Sequence, residues 1–500
     1  MAPQLQEVAQ TLPIAAIIII VILLIIILWL ILRRREPSPR QPTVQYFVRD
    51  QVVITGPPDG IDEIRRQIEE EFNIELRPVT EQPPSQPDSQ VQAGGTAGVG
   101  QQVSGRPITR LFHLVRRGPE TEDVTAEDIA DSINRRSNLC EVMADANYKT
   151  GRALGEVSGD PTSTEGFTLG EVGGAAAGID AFYKQWALQS CANNIVGIEL
   201  FDDNGNRTVA AEGKDVLVAV FDTSPFAEHQ LIFDAALELL APQQTAVTNN
   251  NLPGVPDARD HGLFVASLID AVAPQSKIQL IRVLDNSNRG TLATLVQAIQ
   301  DFIAEQEAAG SNSEKPLAGA MINLSLGVHA TPDKDWVGPP IPTLYCVLNE
   351  AHEKGAVIIA ASGNDSSQGL QPPQFPAAYG FVIDVGASNN QGSRSCFSNH
   401  AEIHAPGGEN DARCRHVPSS CAFDAQACLI GAAHHTALVS HFAYWKGTSF
   451  ATPLVTGLAA LLVEKGMNPA DIKAHLLAKA TVSGLTTAVP VINVRQAMTP

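Results

Sequence analysis

Apolar and polar positions divide the chain into one unbroken apolar run, two patterned stretches, and two long stretches without periodicity. The run extends from Ile14 to Leu32 and is mostly Ile and Leu. With Pro13 it provides about 20 residues, which at about 1.5 Å each span about 30 Å of hydrocarbon. A transmembrane helix over 13–32 is therefore expected, behind an amino-terminal tail 1–12. The tail holds no Lys or Arg, and no small-x-small cleavage site follows the run. A retained anchor fits those features better than a cleaved signal peptide. Arg33, Arg34, Arg35 and Arg40 all follow the span. A single-pass membrane protein with the lipid bilayer as a partner is expected, and the positive-inside rule points the remainder to the cytoplasmic side, with the extracytoplasmic side kept open.

After a linker, 33–43, the first patterned stretch covers 44–148. Gln45–Ile54 reads as a strand closed by a Gly-Pro-Pro-Asp-Gly turn, and Ile61, Ile64, Ile68 and Phe72 fall on one helical face. Ile74–Val79 reads as a strand. Residues 81–106, rich in Gln, Pro, Gly and Ser, read as a disordered insertion. Ile108–Val115 is a further strand, Thr125–Arg136 a helix with Thr125 and Asp128 placed as a capping box, and Leu139–Ala144 a last short strand. Strand-helix-strand twice over is the pattern of a small ferredoxin-like α+β domain. Residues 149–178, rich in Gly, Ser, Thr and Ala, read as a linker.

The second patterned stretch occupies 179–500. Asp215–Phe221, Ile278–Val283, Ala318–Leu324 and Ala356–Ala361 read as buried strands, and Gly262–Ala271, Leu292–Ala309 and Leu344–Lys354 as helices between them. That alternation predicts an α/β fold with a parallel sheet and helices on both faces.

Charge and cysteines narrow the partners. A formal net charge of −20 argues against nucleic acid, since it offers no surplus of cations to neutralise phosphates. Seven cysteines include no Cys-x-x-Cys pair, so they read as buried thiols with one disulfide rather than a zinc site. His434, His435 and His441 lie with three cysteines in a long connection, 409–442, and read as solvated loop residues, so no metal site is assigned.

Three positions carry candidate chemistry. Asp222 ends a strand, His261 opens a helix, and Ser449 precedes the apolar helix of Gly-Thr-Ser-Phe-Ala-Thr-Pro-Leu-Val. Singly they read as a turn aspartate, a loop histidine and a helix cap. In the order Asp, His, Ser they match one known order of a serine triad. A serine hydroxyl needs a base to take its proton, and an imidazole needs a carboxylate to hold its tautomer.

Gly447-Thr448-Ser449-Phe450-Ala451-Thr452-Pro453 resembles the serine motif of the subtilases, the subtilisin-like serine peptidases. Ile322-Asn323-Leu324-Ser325-Leu326-Gly327 and Ala361-Ser362-Gly363-Asn364 resemble two more of that family's segments, as do Phe375-Pro376-Ala377, Val385-Gly386-Ala387 and Ala405-Pro406-Gly407. The resemblance covers roughly Phe182 to Met498. It implies a subtilisin-like fold over 179–500 and hydrolysis of peptide bonds in polypeptide substrates through an acyl-enzyme on Ser449. It further implies an oxyanion hole of the Asn364 side chain and the Ser449 N–H. Substrate would bind at Ser325, Leu326 and Gly327 on one side and at Ala361, Ser362 and Gly363 on the other. No cofactor is required on this reading; calcium is common in the family, but no ligand cluster is assignable. The small domain would be a propeptide acting as an intramolecular inhibitor, with self-processing between about Tyr148 and Ile179.

Two segments depart from the family pattern. Asp222-Thr223-Ser224 lacks the usual glycine, and His261-Gly-Leu-Phe-Val-Ala-Ser replaces His-Gly-Thr-His-Val-Ala-Gly. These changes keep open a second expectation, an inactive subtilase-like binding or scaffold protein at the membrane. A lipase or esterase is disfavoured, because the serine segment lacks the last glycine of Gly-x-Ser-x-Gly.

Overall fold

The computed structural model describes residues 47–79, 106–151, 180–189, 195–224, 231–233, 260–285, 288–310, 315–328, 338–409, 428–433, 442–483 and 489–499. The tail, the run 13–32, the linker 33–43, the insertion save Arg106, the linker beyond Gly151, Cys414, Cys421 and the three histidines of the long connection lie outside those residues. Among the described residues no helix is long and apolar enough to cross a membrane. The expected anchor, lipid partner and single-pass localisation are corrected accordingly. They rested on the hydropathy of 13–32 and on the residues that flank it, and among the described residues no spanning helix supports them.

The amino-terminal block runs β1 (Phe47–Gly56), α1 (Pro58–Glu71), β2 (Ile74–Pro78), β3 (Ile108–Arg116), α2 (Ala126–Asn134) and β4 (Met143–Gly151). Ile61, Ile64 and Ile68 are the buried face of α1. Helix α2 starts at the expected capping box: Asp128 N donates to Thr125 Oγ1 at 3.1 Å, and Thr125 N donates to Asp128 Oδ2 at 2.9 Å. A cap of this kind stabilises a helix by about 1 kcal/mol.

The larger part continues with β5 (Leu217–Asp222), β6 (Leu231–Phe233), α3 (His261–Val272), β7 (Lys277–Arg282), β8 (Arg289–Thr291), α4 (Leu292–Ala309), β9 (Met321–Leu324), β10 (Gly327–Val328), α5 (Pro342–Glu353) and β11 (Val357–Ala361). It ends with β12 (Ile383–Ser388), β13 (Ile403–Pro406), β14 (Leu429–Ala432), β15 (Phe442–Trp445), α6 (Thr448–Glu464), α7 (Ile472–Lys479), β16 (Thr481–Ser483), β17 (Val489–Val491) and α8 (Val494–Ala497).

Nine of these strands form one sheet in the order β16-β17-β13-β12-β11-β9-β5-β7-β6. All its pairings are parallel except β6 with β7 and β16 with β17. Both faces are covered, as the apolar strands require. Val218 and Val220 of β5 point into a core with α3 and α6, while Ala219 and Phe221 point into a second core with α4 and α5. From β5 the chain goes to β7 on one side and then to β9 on the other. That reversal opens a crevice at the carboxyl ends of β5 and β9, where open α/β sheets bind ligands.

Among the described residues the expected ferredoxin-like domain is not found as a separate unit. The antiparallel sheet of the block is six-stranded and takes in β8 and β10 of the larger part. Its core is continuous too: Ile54, Phe112 and Tyr148 join the same cluster as Leu292 and Val347. Tyr46 to Pro500 is one compact unit. The expectation placed the last strand at Leu139–Ala144, although Asp145, Asn147 and Lys149 go on alternating with Ala146 and Tyr148. Strand β4 instead runs to Gly151, and two of those polar residues are docking contacts. Asp145 Oδ2 accepts from Thr343 N at 2.9 Å and from Thr343 Oγ1 at 2.7 Å, at the start of α5. Asn147 Oδ1 accepts from Ala293 N at 3.1 Å, at the start of α4. Burial pushes the Asp145 carboxyl up to about 7, against the pull of the two Thr343 donors.

The cysteines also differ from the expectation of one disulfide. Cys140 is bonded to Cys346, 206 residues away, and Cys396 is disulfide-bonded as well. Cys428 is buried.

Candidate active site

Asp222, His261, Asn364 and Ser449 come from four separate elements that end or begin along the carboxyl edge of the parallel sheet. Asp222 is the last residue of β5, and Asn364 follows β11 by three residues. His261 is the first residue of α3, and Ser449 the second of α6.

The Asp222–His261 pair depends on a close approach of backbone. A Cβ on Gly262 would lie 2.2 Å from the Thr223 carbonyl oxygen and 3.0 Å from the Asp222 Cβ, so only glycine lets α3 begin against the end of β5. Gly262 N donates to Thr223 Oγ1 at 3.0 Å, which fixes that approach. His261 Nδ1 then sits 2.7 Å from Asp222 Oδ1, with both side chains almost wholly buried. Asp222 Oδ1 also accepts from Thr223 N at 2.6 Å. Ser224, where the family pattern has glycine, is absent from the positive-φ residues, so the serine adds no backbone strain. The imidazole is walled by Trp445, edge-on at 5.1 Å between ring centroids, and by Phe450 at 5.2 Å.

Ser449 is held by exchanged hydrogen bonds with Ser325. The Ser449 hydroxyl donates to Ser325 O at 3.0 Å, and Ser325 Oγ donates to Ser449 O at 2.9 Å. The second bond has a local cause. Pro453 lies four residues after Ser449 inside α6 and has no N–H to give that carbonyl. Ser325, itself bonded by Asn323 Nδ2 at 3.0 Å, supplies the missing donor and ties the nucleophile's turn to the end of β9.

The Asn364 amide has a fixed orientation. Its Oδ1 accepts from Thr448 N and Thr448 Oγ1, both at 3.0 Å. A backbone N–H can only donate, so Oδ1 must face Thr448 and the donor end Nδ2 faces the other way. Gly363, with φ of +111°, makes the turn that presents Asn364, and a Cβ there would lie 2.4 Å from Asn399 Nδ2. Asn364→Ala is expected to lower kcat by about 10²–10³ with little change in KM, read from initial rates on a peptide substrate; that magnitude is known for the oxyanion asparagine of a subtilisin.

The two segments expected to bind substrate follow adjacent strands, β9 and β11. Ser325 and Leu326 connect β9 to β10, which contains Gly327. Ala361 closes β11, and Ser362 and Gly363 follow it. The free edge of β10 is paired antiparallel with β4, Gly327 opposite Gly151 and Val328 opposite Thr150. On its other side β4 pairs with β8, Thr150 opposite Gly290. Lys149–Gly151 is therefore a middle strand between β8 and β10, a place the sequence reading left to a linker.

Sequence reasoning missed the residues that hold this site together. Thr448, Thr223 and Trp445 adjoin singled-out positions, and only proximity marks them. Gln374 carries no signal at all: its carboxamide packs against Gly327 and Gly363, and a Cβ on Gly327 would meet its Oε1 at 2.0 Å. Among the described residues no group of three or more His, Cys, Asp or Glu is placed to hold a metal ion.

The model of the subtilase family of peptidases matches residues 213–494. A thermophilic serine proteinase of Bacillus sp. (strain AK1) is 32% identical over 232 residues, 43% of this chain and 46% of that protein. The chain thus spans about half the length of that relative. Subtilisin BL of Lederbergia lenta is 30% identical over 254 residues, 47% of this chain and 76% of that protein. Fervidolysin from Fervidobacterium pennivorans, a keratinolytic enzyme related to subtilisin, aligns over 92% of this chain and 62% of its own with a TM-score of 0.51. At 17% identity that likeness bears on the fold alone.

Proposed function

The chain belongs to the subtilase family, and on that premise we propose that it is a serine endopeptidase whose cleft is filled in the uncut chain by its own strand, Lys149–Gly151. The observation that carries the chemistry is the buried 2.7 Å hydrogen bond between Asp222 and His261, at the sheet edge that also presents Ser449 and Asn364. His261 Nε2 takes the hydroxyl proton of Ser449 as the oxygen attacks the scissile carbonyl, then returns it to the leaving amine. Asp222 Oδ1 holds Nδ1–H and stabilises the imidazolium. The proton of Ser449 rests on Ser325 O, so the hydroxyl turns from that carbonyl to the imidazole when substrate enters. The developing oxyanion is met by Asn364 Nδ2 and by the Ser449 N–H in the first turn of α6, where the helix dipole adds to the attraction.

An extended polypeptide would pair with β10 and β8, the two strands β4 now occupies. Main-chain pairing of this kind gives affinity without demanding a sequence. It supports the reading of 47–151 as an inhibitor in cis, removed by a cut beyond Gly151. Amino-terminal sequencing of the purified wild type beside Ser449→Ala tests this. A new terminus between 152 and 179 in the wild type only is expected. The same intact chain in both, with no peptide hydrolysed by either, would leave an inactive scaffold as the better account.

A further inference from the structure

The inhibitory block is joined to the catalytic part by more than the main chain. Cys140 lies between α2 and β4, before the stretch 152–178, and Cys346 lies in α5, after it. Any cut within that stretch therefore leaves two chains still linked through these sulfurs. We propose that the Cys140–Cys346 disulfide is a latch that keeps the 47–151 block over the cleft after the chain is cut, and that a dithiol reductant is the agent that releases it. This rests on the reading of the block as an inhibitor.

The placement favours both halves of the device. The bond anchors the block to α5, the same helix whose first turn receives Asp145. It lies outside the pairing of Lys149–Gly151 with β8 and β10, so it can restrain the block without forming part of the cleft. The docking contacts that remain are non-covalent: the shared apolar core, the two strand pairings, the Asp145 and Asn147 contacts to α5 and α4, a 2.8 Å hydrogen bond from Thr109 Oγ1 to Gln300 Oε1, and an ion pair between Arg106 and Glu307. A cut but tethered block faces its own cleft at an effective concentration on the order of millimolar, whatever the dilution. Once the tether is gone, occupancy follows mass action and falls on dilution.

Cys140 is exposed and Cys346 half-buried, so a reductant can reach the bond. One thiolate of a dithiol attacks Cys140 Sγ and expels Cys346 as thiolate. The second thiol then displaces Cys140 from the mixed disulfide. Two electrons and two protons pass to the protein, which ends with two thiols, and the reductant ends as its own disulfide. Disulfides persist in oxidising surroundings, where the latch would hold.

The full chain is tested with a recognition site for an unrelated site-specific protease inserted after Asp160. Peptide hydrolysis is measured on the fraction that amino-terminal sequencing shows still uncut, on cut protein, and on cut protein treated with dithiothreitol, each at several dilutions, beside Cys140→Ser/Cys346→Ser. We expect the cut, oxidised protein to keep the low rate of the uncut chain at every dilution. Reduction should raise that rate at least tenfold, and the double variant should show the raised rate on cutting alone, unchanged by reductant. An uncut chain as active as the cut and reduced one would sink the inhibitor reading itself. A low uncut rate with full activity on cutting before reduction would overturn the latch while sparing that reading. Low rates in the cut double variant at high dilution would also overturn it, since the block would then hold without the bond.

Discussion

Replacing Ser449 with alanine is expected to lower kcat for peptide hydrolysis by about 10⁶, or about 8 kcal/mol of transition-state stabilisation. That magnitude is known for a subtilisin and enters as the family's. The physical reason is that the variant has no oxygen to acylate, while Asn364 and the backbone donor at residue 449 remain and keep a rate about 10³–10⁴ above water. The fold should persist. The hydroxyl gives one buried hydrogen bond to Ser325 O, worth about 1 kcal/mol, and Ser325 Oγ still meets the carbonyl that Pro453 leaves without a donor. Cut and reduced protein is assayed for kcat, with circular dichroism to match the folded fractions. A loss under about a hundredfold would show that another group carries the chemistry.

Asp222→Asn is expected to cost about 10⁴ in kcat with KM nearly unchanged. The two side chains have the same shape, so His261 should stay in place, and the loss comes from the tautomer. A carboxylate can only accept from Nδ1–H, which leaves Nε2 free to take the serine proton. An asparagine amide can turn its NH₂ to Nδ1, which moves the ring proton to Nε2 and blocks the base. Oδ1 accepts from Thr223 N at 2.6 Å as well as facing the ring, so an amide nitrogen turned to Nδ1 would also lose the Thr223 hydrogen bond. Steady-state kinetics on the same substrate reads the effect. A fall of less than tenfold would mean that the buried pair only supports structure.

The parts that sequence made legible were those whose pattern is local. Parallel strands buried on both faces read as continuous apolar runs, and β5, β7, β9 and β11 were found from them. Asp222, His261 and Ser449 were legible because a triad needs fixed residue types, and each sits where an element starts or stops. Helix α3 was read as a helix although it is buried on every side. What escaped were residues whose environment is supplied from far along the chain. Strand β4 was cut short because Asp145 and Asn147 look solvated until α5 and α4 are seen to receive them. The block was taken for an independent domain because pattern counts its own strands and cannot show that β8 and β10 complete its sheet. Cys140 and Cys346 are 206 residues apart, and seven cysteines allow many pairings. Gln374 was invisible because two glycines that touch it have no side chains to suggest a neighbour.

Labelling with a fluorophosphonate, followed by peptide mapping, tests the central assignment most directly. On cut and reduced protein the account predicts a single adduct on the Ser449 oxygen, lost in His261→Ala, which removes the base. Absence of any adduct, or an adduct on a different serine, while a control serine hydrolase in the same reaction is labelled, would contradict it.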